Sequence, residues 1–374
     1  MAKQEKSYKR IVAKFGTNLL TAGTDRIDAN VLSGIVRQVA QLHKEGKEII
    51  LVSSGAVASG RQLLTLPKDK KDVPARQVMA AVGQHVLMNS YTELFRSEGI
   101  VTAQALLTKL DLANRLSYLN ARNTLLTLLE LGVVTIINEN DVVAIEELEG
   151  ARFGDNDNLS GMVANLVDAD LLVIMSDVAG LYTADPVLDA SAKLIPVVKQ
   201  IDKSIEKMAG GTRGRGTGGM TTKIQAAKLA TASGTAVVIA NGSERDLLLR
   251  LVNGESIGTM FMPSTDKIES RKRWILSGLA TKGKLIVDGG AAAALSRGNK
   301  SLLPAGIRGV EGSFKRGDAV DITNESGDRI ACGISNYSAA DIEKIKGARS
   351  DKIEGLLGHG YGDEVVHRDN IVVL

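Results

Sequence analysis

Cysteine is all but missing: Cys332 is the only one in 374 residues. A chain with one thiol can form neither an internal disulfide nor a cysteine-based zinc framework, so a reducing compartment is expected, and the cytoplasm is the expected location. Histidine is nearly as scarce. His43, His85, His359 and His367 stand at spacings that match no metal motif, and they read as structural. Neither sign of charge dominates: 46 Lys and Arg against 43 Asp and Glu give a net charge of +3, too small for a protein that coats a polyanion. Any basic site must therefore be local. Long apolar runs are missing too, since stretches such as Leu171–Met175 fall far short of the ~20 residues a membrane helix needs. Residues 1–10 are polar and basic with no cleavable apolar segment behind them, so no signal peptide is expected. Six prolines and 39 glycines in a chain that is 44% hydrophobic and 24% charged exclude collagen and disorder.

What remains is an ordinary globular composition, and its length suggests two domains at roughly 100–200 residues each, or one large α/β domain with an appendage. Short apolar runs rich in β-branched residues alternate with longer amphipathic segments, the pattern of an α/β protein whose parallel sheet is covered on both faces. The runs predict strands near Arg10–Lys14, Glu48–Ser53, Val101–Leu106, Val133–Asn138, Leu171–Ser176 and Ala236–Ala240. Asp28 predicts a capped helix running to Gly46, and Asp111 another ending at Gly132. Further helices are expected over Ala75–Ser97 and Thr222–Ser233. The alternation stops near Thr259, and a charged stretch holding Arg271, Lys272, Arg273 and the lone Trp274 marks a boundary. Domains are accordingly expected at 1–265 and 281–374, joined by a linker at 266–280. The second reads as a small, mainly β module with strands at Lys284–Val287, Ala319–Thr323, Arg329–Ser335 and Ile371–Leu374, and Cys332 packed within it.

Four segments could carry chemistry. Lys14-Phe15-Gly16-Thr17-Asn18 places a lysine at the carboxyl end of a strand, with a glycine that lets the backbone approach a ligand. Phosphate suits it; a solvated lysine beside a turn is the plain alternative. Ser53-Ser54-Gly55-Ala56 also ends a strand and opens a helix, so it is either an anion site or a simple cap. Asn138-Glu139-Asn140-Asp141 and Gly154-Asp155-Asn156-Asp157-Asn158 concentrate short polar side chains. These could hold a substrate ammonium, build an amide network, meet magnesium through water, or cap a helix near Leu159. An EF-hand is excluded, because Ser160 stands where Gly is needed and Leu166 where Glu is needed. Residues 210–223 read GGTRGRGTGGMTTK, in which glycines, a helix start and Lys223 converge on a phosphate. A flexible linker is the alternative. Gly214, Gly216 and Gly219 satisfy G-x-G-x-x-G by spacing, but the preceding residues 202–208 look helical rather than extended, and the Walker spacing is not met.

Together, KFGTN at 14–18, VSSGA at 52–56, INEND at 137–141, FGDNDNLS at 153–160, SDVAGLYTADP at 176–186 and GTGGMTTK at 216–223 resemble the amino-acid-kinase superfamily. The resemblance is closest to its glutamate 5-kinase branch, which carries a C-terminal PUA domain, and it spans nearly the whole chain. It implies a three-layer fold with an open, mostly parallel sheet, followed by a PUA-like module. It also implies that ATP, with Mg2+, phosphorylates the side-chain carboxylate of L-glutamate in the first step of proline biosynthesis. By the same resemblance Lys14 and Lys223 neutralise the transferred phosphoryl and Asp157 positions them. Ser54, Asp141 and Asn156 would hold glutamate, while Lys14, Ser176, Asp177 and the run Thr217, Gly218, Gly219, Met220, Thr221, Thr222, Lys223 line the nucleotide site. Feedback by proline and a homo-oligomer, dimer or tetramer, are further implications.

Two rival readings follow. A related carboxylate kinase could act on aspartate or N-acetylglutamate. A PUA-like module could instead bind RNA, but residues 278–374 hold 13 basic and 13 acidic side chains, with Phe314, Tyr337 and Tyr361 the only aromatics. The basic footprint of an RNA-binding surface is missing, so RNA is not expected as a partner.

Overall fold

The computed structural model describes residues 8–64, 73–144, 156–210, 219–264, 281–296 and 300–373. The chain divides into two compact units, residues 1–266 and 267–374. In the first, eight strands form one sheet: β1 (Arg10–Phe15), β2 (Glu48–Ser53), β3 (Thr102–Leu107), β4 (Val134–Glu139), β5 (Leu171–Ser176), β6 (Val197–Val198), β7 (Ala236–Asn241) and β8 (Thr259–Phe261). Their order is β3-β4-β2-β1-β5-β7-β8-β6, and every neighbouring pair is parallel except β7 with β8.

Strand periodicity sorts the core into two layers. Ile11, Ala13 and Phe15 of β1 join Leu171, Val173 and Met175 of β5 on one face. There they pack against α2 (Ala29–Lys44), α4 (Val73–Ser97) and α10 (Leu247–Val252). Val12, Ile50, Val52, Leu172 and Ile174 face the other way, toward α6 (Arg115–Glu130), α7 (Asn156–Leu166) and α9 (Met220–Ala232). Lys14 shares the parity of Val12, so β1 delivers its side chain to the α7 and α9 layer. Edge strand β3 is half-exposed along most of its length, unlike the buried β1, β2 and β5.

Asp28 caps α2 as expected, its carboxylate accepting from the Asn30 and Val31 N–H groups at 2.8 and 3.1 Å. Asp111 does not cap the long helix. Thr108 takes that role for a short helix, α5 (Lys109–Ala113): its hydroxyl accepts from the Asp111 N–H at 3.1 Å, and the Asp111 carboxylate accepts from the Thr108 N–H at 2.9 Å. This is a reciprocal capping box. The backbone then turns extended at Asn114, whose side chain caps α6 through the Ser117 N–H at 3.1 Å. Gly132, at φ +69°, closes the segment in the left-handed conformation that favours glycine. Residues 202–208 are largely helical, within α8 (Lys203–Gly210).

The second unit holds a five-stranded sheet in the order β10-β9-β11-β12-β13, made of β9 (Gly283–Val287), β10 (Ile307–Gly312), β11 (Ala319–Asn324), β12 (Arg329–Ile334) and β13 (Ile371–Val373). Only β9 with β11 is parallel. Strand β10 was not among the expected ones, because Gly309 and Gly312 interrupt its apolar alternation and a register shift follows Ile307. Leu374, placed in the last expected strand, lies outside the described residues. Cys332 is a buried free thiol on β12. Among the described residues, no helix is long and apolar enough to cross a membrane.

Candidate active site

The first strand sits mid-sheet, with β2, β4 and β3 built outward on one side and β5, β7 and β8 on the other. Such a reversal opens a crevice at the carboxyl ends of the flanking strands, where α/β sheets bind ligands. Lys14, Ser53 and Ser176 occupy those ends. Gly16 turns the chain off β1, its N–H donating to the Met175 carbonyl at 3.3 Å. A Cβ at Gly16 would lie 3.7 Å from Lys14 Nζ, so glycine keeps the space beside the ammonium open.

Lys14, Asp157 and Lys223 meet in this crevice. Lys14 Nζ lies 2.5 Å from Asp157 Oδ1, and Lys223 Nζ lies 3.2 Å from Asp157 Oδ2. The Thr222 hydroxyl is 2.8 Å from the same Oδ2. All three charged side chains are buried, Asp157 completely. Burial alone would push the Asp157 carboxyl up; the two ammonium charges and the hydrogen bonds from Lys14 and Thr222 outweigh it and hold the group down at about 2. Helix packing makes the meeting possible. Gly161, one turn after Asp157, faces the backbone of Ala226, where a Cβ would come within 2.8 Å of the carbonyl oxygen. With Ala164, Ala227 and Ala230 also small and buried, α7 and α9 approach closely enough for Asp157 to reach Lys223. Asp157 in the first turn of α7 also complements the helix dipole.

The amide of Asn156 points its nitrogen at three oxygens, the Ser53 carbonyl, Ser54 Oγ and Asn138 Oδ1, each at 3.0 Å. Ser54 and Asn156 are thus in direct contact. The Ser53–Ser54 corner is anchored from behind by Tyr91, whose hydroxyl is 3.0 Å from Ser53 Oγ. Asp141 stands further out. It lines a cavity of about 490 Å³ with Gln84, His85, Gln104 and Glu139; Gln84 in turn bonds Asn138, which bonds Asn156.

Asp177 forms a third group with its neighbours. Its carboxylate accepts from Ser176 Oγ at 2.9 Å and from Asn18 Nδ2 at 3.0 Å, tying the turn after β1 to the end of β5. Burial raises the Asp177 carboxyl, but the bonds from Asn18 and Ser176, with the Lys223 charge adding to them, bring it below its ordinary value. Gly219 precedes α9 in an extended conformation, with no described residue within 4 Å of the place a Cβ would take. Met220 begins the helix, and Thr221 Oγ1 donates back to the Ala209 carbonyl at 3.2 Å. Thr217 and Gly218, like Gly154 and Asp155, lie outside the described residues. Among the described residues, no three His, Cys, Asp or Glu side chains converge as a metal cage.

Two contributors were not legible in the sequence. Tyr91 and Gln84 sit on α4 with no motif around them to mark a role. Thr222 was legible as part of the glycine-rich segment, but its bond to Asp157 was not.

The amino acid kinase family pattern matches residues 9–241 and the PUA domain pattern matches 283–357. A glutamate 5-kinase from Dehalococcoides mccartyi (strain CBDB1) is 53% identical over 99% of this chain and 100% of its own length. The glutamate 5-kinases of Herpetosiphon aurantiacus and Deinococcus radiodurans are 51% and 49% identical, each over 98% of this chain and over 98% and 100% of their own lengths. With likeness of this depth along its full length, the chain belongs to the amino acid kinase family, in the glutamate 5-kinase branch, and carries a PUA domain after its kinase domain.

Proposed function

We propose that this kinase transfers the γ-phosphoryl group of ATP to the side-chain carboxylate of L-glutamate, forming L-glutamyl 5-phosphate in the first step of proline biosynthesis. The observation that carries the reading is the buried Lys14–Asp157–Lys223 triad at the switch point of the sheet. The acceptor carboxylate, pKa ~4.3, is already ionised at neutral pH, so the reaction needs no general base. One carboxylate oxygen bonds to the γ-phosphorus as the bridging oxygen to the β-phosphate departs with its electron pair, leaving ADP. The difficulty is that one anion must approach another, and fixed cations with backbone N–H donors are the groups that lower such a barrier.

In this reading Lys14 and Lys223 cancel charge on the transferred phosphoryl. Asp157 touches both and keeps their ammonium groups from swinging apart. Ser54, Asp141 and Asn156 hold glutamate. Ser176, Asp177 and residues 217–223 line the nucleotide, with the start of α9 facing its phosphates. Among the described residues the space beside Gly219 is open, which suits a phosphate chain. Magnesium would ride on the phosphate oxygens and water, supplying further positive charge.

Trapping the acyl phosphate with hydroxylamine tests the assignment across glutamate, aspartate and N-acetylglutamate. A hydroxamate that depends on ATP and glutamate is expected; its absence would refute the reading, and a preference for either other acid would move the protein to a sister activity. Proline added to the same assay should inhibit, and the enzyme should sediment as a dimer or tetramer. The balance of 13 basic and 13 acidic residues over 278–374 supports a structural or regulatory module rather than an RNA reader. Salt-sensitive nanomolar binding of structured RNA would reverse that view.

A further inference from the structure

A line of side-chain amides runs from the 490 Å³ cavity into the substrate site. Gln84 Oε1 accepts from Asn138 Nδ2 at 2.7 Å. Asn138 Oδ1 accepts from the Glu139 N–H at 2.9 Å and from Asn156 Nδ2 at 3.0 Å. The direction of this line is fixed by backbone groups at both ends. A peptide N–H can only donate, so Glu139 determines which end of the Asn138 amide is oxygen and leaves its nitrogen for Gln84. A peptide carbonyl can only accept, so Ser53 determines that Asn156 turns its nitrogen inward. Asn156 Oδ1 is then left buried and without a hydrogen-bond partner among the described residues. A buried acceptor in that state calls for a donor, and a ligand ammonium group would supply one.

We propose that Gln84, acting through Asn138, is a positioning residue that holds Asn156 with its carbonyl oxygen toward the substrate, so that the site selects an amino acid by its α-ammonium group. The inference rests on the glutamate reading given above. Gln84 touches no substrate in this scheme. Its oxygen accepts from the buried Asn138 amide nitrogen, which without that acceptor has reason to rotate and release Asn156.

The test compares the KM for glutamate with the inhibition constant of glutarate, the same dicarboxylate without an amino group. Gln84→Met and Gln84→Ala both remove the acceptor. Each should raise the KM for glutamate about tenfold, the scale of one lost hydrogen bond to a charged donor, while the KM for ATP, kcat and the glutarate constant hold. Gln84→Glu keeps an oxygen for Asn138 and should recover most of the loss. A general loosening of the fold would weaken glutamate and glutarate alike. The proposal is overturned if both acceptor-free variants keep the wild-type KM, if glutarate weakens in parallel, or if Gln84→Glu does no better than Gln84→Met. Failure of the underlying reading would show separately, as an unmutated enzyme that does not phosphorylate glutamate.

Discussion

Replacing Asp157 with asparagine keeps the side chain's shape and removes the carboxylate that Lys14 and Lys223 share. Both lysines are largely buried, at 6% and 4% residue exposure, so water compensates poorly for the lost carboxylate. Removing one member of a buried ionic group costs about 3–5 kcal/mol, because the remaining charge stays desolvated and unpaired. In a domain of this size each kcal/mol lowers the melting temperature by about 2–4 °C, so Asp157→Asn should melt roughly 6–20 °C below the wild type at neutral pH. Turnover should fall by about 10²-fold or more, as expected when an electrostatic stabiliser loses its fixed position. The difference has a pH signature. The carboxyl is held at about 2 in the folded protein, below the ~3.9 of an unfolded aspartate. Its ionic contribution is therefore complete above pH ~4 and disappears as the pH falls toward 2. Melting curves of the two proteins should converge over that interval. If Asp157→Asn melted within about 2 °C of the wild type, a surface-mutation effect, and turned over normally, the triad would not be the organising feature argued here.

Other perturbations reach the site from the packing side. A Cβ on Gly83 would come within 1.8 Å of the Ala56 carbonyl oxygen and 2.2 Å of the Gly60 nitrogen. Both are backbone atoms, so no rotamer change relieves the clash. Gly83→Ala should destabilise the domain by about 1–3 kcal/mol or more and raise the KM for glutamate by displacing Ser54, with calorimetry and steady-state kinetics as the readouts. Asn156→Asp would set a carboxylate oxygen against the Ser53 carbonyl and Asn138 Oδ1, both 3.0 Å from the present nitrogen. Glutamate binding should weaken by about tenfold or more, the cost of an unsatisfied buried polar group, with the KM for ATP unchanged.

The parts of the fold legible in the sequence are those set by local composition. β1, β2, β5 and β7 are apolar runs, and Asp28 with Gly46 brackets α2 by capping chemistry alone. Strands β6 and β8 have two and three residues, too short to show a period, and β10 is broken by glycines. Asp111 misled because it is taken up in the capping box of a short helix begun by Thr108, and the long helix starts afresh at Asn114. In the site, Lys14 could be placed at a strand end from its neighbours, and strand parity even gives its face. That it meets Lys223 depends on Gly161 and Ala226 letting two helices touch, and a small residue in a helix carries no sign of its partner. The same holds for Gly60 and Gly83, whose close approach is a tertiary fact. Gln84 is a polar residue on a half-buried helix, indistinguishable by pattern from a solvated one.

The central claim is that Lys14 and Lys223 act as one unit on a single phosphoryl group. Turnover of Lys14→Met, Lys223→Met and the double variant tests it most directly. Each single change should lower kcat by about 10²-fold or more with little change in the KM for glutamate, and the double variant should lose far less than the product of the two, as residues acting together do. A single variant with wild-type kcat, or losses that multiply in the double variant, would contradict the account.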